Sequence, residues 1–453
     1  MRPLTARSTR FLSATLTSLI ASGFALPVLA QVATPTPSAP AAPSPSVPAN
    51  GTGPITGPPA TPSVTLPAPG QPPAPVAPTP PAPAAPAASP PPNYSLQYNG
   101  YLEFYYLIQT KNPKFTAPGY TTNNLGYPRD PDVRNNTPSL DYVEFNVYQL
   151  PHPNKLGFQA TLAAGDSADE TTGGNTVGQP IDTSGNGETR FRNVQQLYGT
   201  YALGGGGSGI DFGKWYGPSY EYGNANADYN FSRAYPYVRT PAYNSGIRIY
   251  DVDALGAKGL TATFGLLRSV TDSSTAGVQD DNGQPGYQGQ LAFNDPKGKY
   301  SASGFLSLGK DKFSGVNSRV TVSDDNFTYN FTEKTLAAVD YYYTYTKPNG
   351  SYKTTEMGMA LYFHQQLTDR TACALRTSGF DSHSDSSGIP DTRPYEVTAS
   401  YDYKAAKNFL TRLEYRHDEE NSKYAGFPVF AGTSGAPTQS TQDTFEVAGM
   451  FTF

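Results

Sequence analysis

Apolar and polar residues alternate one by one over long stretches of the chain. Over residues 94–109 the even-numbered positions are mostly apolar, as in Phe104, while the odd-numbered ones include Glu103, and the pattern returns over 394–403 and 408–417. A period of two predicts β-strands with one apolar and one polar face. Sixteen residues exceed the length of about five or six that is usual for strands of globular proteins. The predicted strands are therefore longer than those of an ordinary globular sheet.

The last two of these segments predict a β-hairpin around the turn Lys404–Asn408. Closing the turn with residue 403 opposite residue 409 places Glu396 opposite Arg416 and Thr398 opposite Glu414. A slip of one residue would mix the two faces, so the apolar pattern selects this register.

The connections between such segments alternate between short and long. Strands are predicted at 94–109, 139–150, 155–166, 189–203, 208–216, 245–254, 258–269, 286–294, 299–310, 326–332, 334–346, 353–364, 369–377, 394–403, 408–417 and 443–453. Lipid cannot satisfy an open sheet edge, so such strands must close into a barrel, with the polar face towards a watery lumen. The sequence predicts an all-β, antiparallel, up-and-down transmembrane barrel of about 16 strands, within a range of 14 to 18.

The chain ends on an aromatic residue that belongs to the same alternation. Phe445, Val447, Phe451 and Phe453 share one face of the last predicted strand. A strand of this kind looks like the C-terminal signal that the barrel assembly machinery of bacterial outer membranes recognises. The likeness implies insertion into that membrane.

Two segments precede the predicted barrel at residues 94–453. Residues 1–30 carry three arginines, an apolar run and small residues before position 31, the order typical of a secretory signal peptide. Residues 31–93 are rich in Pro and Ala and carry no charge. Proline lacks a backbone donor, so we expect a disordered linker in the periplasm, available for contact with the cell wall.

Composition agrees with this division. The chain is only 37% hydrophobic and has a mean hydropathy of −0.48, values that suit strands with one apolar face. The net charge of −5 reflects no excess of basic residues, so nucleic acid is not an expected partner. The four histidines show no metal-ligand spacing, and no catalytic constellation stands out. We therefore expect no enzyme activity, metal or cofactor.

Several motifs together resemble one protein family. They are Gly100–Tyr106, Val194–Tyr201, Ile210–Trp215, Asn226–Arg233 and Ser245–Arg248. With these motifs the chain resembles the outer-membrane β-barrel porins of the OmpL-like type over roughly 98–453. The resemblance implies a porin-like channel whose solute the family does not define.

The predicted loop 217–244 carries the candidate pore constriction. Charged and aromatic residues are concentrated there, and a loop folded into a porin lumen narrows the pore and sets its selectivity. The candidates are Glu221, Asp228, Tyr229, Arg233, Tyr235 and Arg239. The alternative is a loop packed on the rim of the barrel with structural tyrosines.

The polar faces of the strands supply candidate lumen-facing residues. They are Glu103, Glu144, Arg192, Glu396, Arg412, Glu414 and Arg416. Such side chains either tune conductance or simply solvate the wall and pair across strands.

The favoured function is an outer-membrane porin for passive diffusion of small hydrophilic solutes or ions. Outer-membrane lipid, the assembly machinery and the solute are the expected partners, and a homotrimer is compatible with the pattern. One alternative is a surface adhesin or structural barrel with a blocked lumen. Another is a soluble secreted β-sandwich or lectin.

Overall fold

The structure is a computed structural model in which the chain forms a closed antiparallel barrel. It describes residues 94–110, 115–117, 120–122, 136–165, 168, 193–204, 207–218, 229–237, 240–271, 283–313, 316–385, 391, 393–420 and 441–453. The signal peptide and linker predicted for residues 1–93 lie outside these ranges.

Eighteen strands and one short helix make up the described chain. The strands are β1 Gln97–Gln109, β2 Phe115–Ala117, β3 Tyr120–Thr122, β4 Ser139–Gln149, β5 Leu156–Ala164, β6 Val194–Leu203, β7 Ser208–Tyr216, β8 Tyr243–Val252, β9 Leu260–Leu267, β10 Gly286–Asn294, β11 Tyr300–Phe313, β12 Val316–Thr332, β13 Thr335–Pro348, β14 Thr354–Gln366, β15 Thr371–Ser384, β16 Pro394–Ala406, β17 Phe409–Glu420 and β18 Thr441–Thr452. A 3-10 turn spans Ala254–Gly256. No helix in the described ranges is long and apolar enough to cross a membrane.

Sixteen of these strands close the barrel, as the alternation predicted. Each strand from β4 to β18 pairs with its neighbour in sequence, and β1 pairs with both β4 and β18. The strands β2 and β3 form a separate two-stranded sheet. The predicted fold class and strand number are therefore confirmed.

The two faces of the wall differ as the sequence pattern requires. On β1 the side chains of Phe104, Tyr106 and Ile108 point outward and are exposed, whereas Glu103 and Tyr105 point inward and are buried. Lipid can cover the outward set, because it offers apolar contact without hydrogen bonds. The apolar band therefore lies on the outside of the barrel.

Aromatic rings lie over glycines where the last strand meets the first. The backbone N–H of Phe453 donates to the carbonyl of Gly100 at 3.0 Å, and the Gly100 N–H donates back at 3.1 Å. The ring of Phe104 lies across Gly449, where a Cβ atom would clash with it. Phe445, Val447, Phe451 and Phe453 all point outward and are exposed. Their role as an assembly signal stays a prediction.

The predicted register of the β16–β17 hairpin is wrong by two residues. Tyr403 pairs with Thr411, so Thr398 lies opposite Arg416 and Glu396 opposite Asp418. The cause is a tighter turn, because β16 continues to Ala406 and an irregularity follows Lys404. A shift of two keeps every side chain on its face, so the apolar pattern alone could not detect it.

Two predicted strand boundaries are also wrong. The strand expected at 326–332 begins at Val316 and forms a 17-residue hairpin arm with β11. The strand expected to end at residue 377 continues to Ser384. In both places polar residues stand on the outward face, so the alternation weakens before the strand ends.

Candidate functional site

The segment 229–237, named here the inner segment, belongs to the connection between β7 and β8 and binds the opposite wall of the barrel. In the strand order, β16 stands eight strands from β8 in either direction. The segment's hydrogen bonds go to inward side chains of β15, β16 and β17. The connection therefore crosses the lumen.

Glu414 on β17 holds the start of the inner segment. Its carboxylate accepts the backbone N–H of Phe231 at 2.6 Å and that of Ser232 at 3.0 Å. It also accepts the hydroxyls of Ser232 and, at 2.8 Å, of Ser400. Asn230 donates to the same Ser400 hydroxyl at 2.7 Å. A charged acceptor for backbone donors stabilises more than a neutral one, so Glu414 is the main anchor.

Arg376 on β15 binds the backbone carbonyl and the hydroxyl of Ser232. Its guanidinium forms a 2.8 Å ion pair with Glu396, and both side chains are fully buried. It also donates to the Ser232 carbonyl, to the Ser232 hydroxyl at 3.0 Å and to Thr398 at 3.0 Å. Buried charges need such partners, because desolvation would otherwise exceed the Coulombic gain.

Arg416 on β17 repeats this arrangement at the next residue of the segment. It donates to the Arg233 carbonyl at 2.8 Å and to Asp418 at 2.8 Å. The Tyr235 hydroxyl donates to the same carboxylate at 2.8 Å, and the guanidinium lies 5.1 Å from the centre of the Tyr235 ring. The arginine therefore combines an ion pair with a cation–π contact.

Apolar and aromatic packing holds the inner segment against four further strands. Phe231 packs on Tyr105 of β1 and contacts Leu107, with ring centres 5.3 Å apart in the aromatic pair. Tyr229 stacks on His364 at 4.0 Å, and Tyr235 meets Phe380 edge-on at 5.6 Å. The apolar contacts reach β13, β14 and β18 through Ala338, Tyr362 and Ala448.

The structure brings three of the six candidate constriction residues into this segment. Tyr235 is buried, while Tyr229 and Arg233 are half-buried. Arg233 donates to the Asn230 carbonyl at 3.3 Å and lies 5.6 Å from the centre of the Tyr237 ring. Glu221, Asp228 and Arg239 lie outside the described residues. A role of the set in constriction stays a prediction.

Six of the seven candidate lumen-facing residues point inward and are buried. They are Glu103, Glu144, Glu396, Arg412, Glu414 and Arg416. Glu144 accepts the Tyr216 hydroxyl at 3.0 Å, and Arg412 pairs with Asp402 at 2.7 Å. Arg192 lies outside the described residues.

Sequence reasoning missed Arg376, Ser378 and Asp418, which also hold the inner segment. Arg376 follows two inward alanines, Ala372 and Ala374, so the inner face of its strand begins without polar side chains. Asp418 lies one residue past the predicted strand 408–417, although it continues the inward series of Glu414 and Arg416. Extending the inward parity past the predicted strand ends at 377 and 417 would have found Ser378 and Asp418, whereas Arg376 already lies within its predicted strand. In the part of the chain that the structure describes, no group of three or more His, Cys, Asp or Glu could hold a metal ion.

A closed barrel with an apolar outer band and an inward connection defines a channel-type barrel of the outer membrane. The chain belongs to the family described as "Putative beta-barrel porin-2, OmpL-like", whose model matches residues 95–453. The family and its porin function, as the sequence resemblance implied, are thus confirmed. No curated protein has a matching sequence.

Solved structures with the same fold are remote in sequence. The trimer form of OmpT from Vibrio cholerae is 12% identical with a TM-score of 0.50, covering 79% of this chain and 99% of that one. The anion-selective porin from Comamonas acidovorans has the same identity, TM-score and coverages. At this identity the likeness shows the fold alone.

Proposed function

We propose that this outer-membrane porin is a passive diffusion pore whose lumen is narrowed by the inner segment. Small hydrophilic solutes and ions would cross beside that segment. The observation that carries the proposal is the attachment of residues 229–237 to inward side chains of the far wall, above all to Glu414. A segment held by a buried charge keeps one position, as a size filter requires.

The contacts of the inner segment also indicate where the open path lies. They extend over β13 to β18 and β1, together with Tyr216 and Tyr243 beside its own connection. We infer that the aqueous path follows the inner faces of β4 to β6, β9 and β10, because Val270 packs on the inner faces of β11 and β12. The inward polar side chains of that wall include Gln288 and Gln290 of β10.

Single-channel recording in planar bilayers tests the proposal with the variant Glu414→Gln. Losing the charged acceptor weakens the attachment by about 2 kcal/mol, so the released state becomes roughly 30-fold more populated. We expect a larger and noisier conductance than in the wild type. The matched control is Glu419→Gln, which changes a carboxylate on the outward face of the same strand.

The same recording distinguishes a narrowed pore from a blocked barrel. Unchanged conductance in Glu414→Gln would show that the inner segment does not set the pore. A wild type without conductance would favour an adhesin or structural barrel with a blocked lumen, which family membership does not favour.

Ion preference follows from the buried charges of the wall. Among the described residues, eleven carboxylates but only four arginines are buried. An excess of one charge sign along a pore concentrates the opposite ion. We infer a preference for cations, measured as the sign of the reversal potential across a tenfold KCl gradient. A reversal potential of the opposite sign would contradict it.

The proposal extends to the N-terminal segments and to the oligomeric state. We infer that residues 1–30 direct export and are removed, and that residues 31–93 lie in the periplasm as a linker able to reach the cell wall. We also infer a homotrimer, because a trimer form is named for one protein of the same fold. The absence of enzyme activity, metal and cofactor is part of the same proposal.

A further inference from the structure

Three cations stand side by side on the outward face of β11, β12 and β13. Lys310 pairs with Arg319, and Arg319 pairs with Lys347, so the three form one horizontal row, named here the cation row. All three are exposed, and Lys310 has the same parity as the outward Leu306 and Leu308 of β11. Like charges directly opposite one another destabilise a sheet. An anion at this position would remove that cost.

No described acidic side chain supplies this anion to two of the three. Within the described ranges neither Arg319 nor Lys347 forms an ion pair, and the residues that flank Arg319 along its own strand on this face are Asn317 and Thr321. The nearest acid of β11 in sequence, Asp311, points inward and accepts backbone donors at the barrel rim.

The cation row lies at one edge of the apolar band. Tyr300 and Tyr329, a cross-strand pair, belong to an aromatic cluster near the short-turn end of the same outward face. The row lies ten residues further along each strand. Ten residues of a strand tilted by about 40° rise about 25 Å, the height of the apolar band of a membrane barrel. The row therefore stands at the level of lipid headgroups on the long-loop side.

Below the row, β12 carries small side chains between larger ones. Thr321 and Ser323 face outward between Leu308 and Leu306 on β11 and the tyrosines Tyr345 and Tyr343 on β13. The outer face therefore has a trough one strand wide that descends from Arg319. Its sides are apolar or aromatic down to the level of Asp325, so it suits the upper part of an acyl chain.

We propose that the cation row binds the phosphorylated headgroup of a lipid in the outer leaflet, with an acyl chain of that lipid in the trough. Short turns of such barrels face the periplasm, which places the row on the outer side. The guanidinium of Arg319 presents paired donors that match two phosphate oxygens, and the flanking lysines add point charges. The proposal rests on the membrane placement of the barrel and not on the width of its pore.

Mass spectrometry of the intact protein, released from detergent and titrated with diphosphoryl lipid A, tests the site. The double variant Arg319→Gln/Lys347→Gln should bind this lipid roughly tenfold more weakly or worse, the scale expected for two cations removed near an anionic surface. The control is Lys334→Gln/Lys407→Gln, which removes two exposed cations from turns at the other end of the barrel. Lipid A without phosphates should bind both variants and the wild type equally weakly.

The outcomes decide whether a lipid or a free anion occupies the cation row. Equal binding of diphosphoryl lipid A by both double variants and the wild type would overturn the proposal. Complete displacement by millimolar inorganic phosphate would also overturn it, because the site would then bind free anions. Heat-modifiable mobility on gels confirms that each variant is folded. Conductance should equal that of the wild type, so a failure of the pore proposal would be seen separately.

Discussion

Charged residues on the inner face of β15 to β17 are buried in pairs of opposite sign, whereas those on the outer face of β11 to β13 are exposed cations that lie side by side. On the inner face Arg376 and Arg416 each contact a carboxylate and a backbone carbonyl of the inner segment, and all these groups are buried. On the outer face Lys310, Arg319 and Lys347 lie beside one another and are exposed. The inner charges are neutralised within the chain. On the outer face, Arg319 and Lys347 form no ion pair within the described ranges.

The largest expected effect comes from breaking an inner pair. Arg376→Ala leaves Glu396 buried without its cation and removes three donors to the inner segment and Thr398. Breaking a buried pair from one side costs about 3–5 kcal/mol. We expect that loss in the free energy of unfolding, measured by urea titration in detergent micelles. A loss below about 1 kcal/mol would show that the pair is not buried in solution.

A smaller effect of opposite sign is expected on the outer face. Asp325 points outward near the middle of the apolar band, beside Gly304 and Tyr341. A carboxylate facing lipid destabilises a barrel, so Asp325→Leu should stabilise it by about 1–2 kcal/mol in vesicles. Ser323→Leu on the same face is the control for added apolar area. A loss of stability in Asp325→Leu would indicate that this carboxylate has a polar partner in the membrane.

The smallest effect is expected for an exposed pair at the strand ends. Arg393 lies 3.1 Å from Asp381, with 59% and 38% of the two side chains exposed. Exposed pairs contribute about 0–1 kcal/mol. Arg393→Ala should therefore change the urea midpoint by no more than a small fraction of the Arg376→Ala shift. Equal shifts of the urea midpoint in Arg393→Ala and Arg376→Ala would contradict the claim that buried inner pairs stabilise the barrel more than exposed ones.

Much of the fold follows from local pattern. The alternation in β1, β16, β17 and β18 predicted which residues point outward, because a strand offers only two faces. The same parity placed Glu103, Glu396 and Glu414 inward. It failed at β12, where Thr321, Ser323 and Asp325 on the outward face erase the contrast between the two faces.

The sequence by itself determined the class of barrel, its strand number and the direction of most side chains. Only the tertiary structure decided the partners of those side chains. The inner segment meets Glu414 from 182 residues away in sequence, and Glu396 pairs with Arg376 rather than lying opposite Arg416. The row of Lys310, Arg319 and Lys347 likewise exists only through the register of three strands. Parity is a property of one strand, whereas register and lumen crossing are properties of the closed barrel.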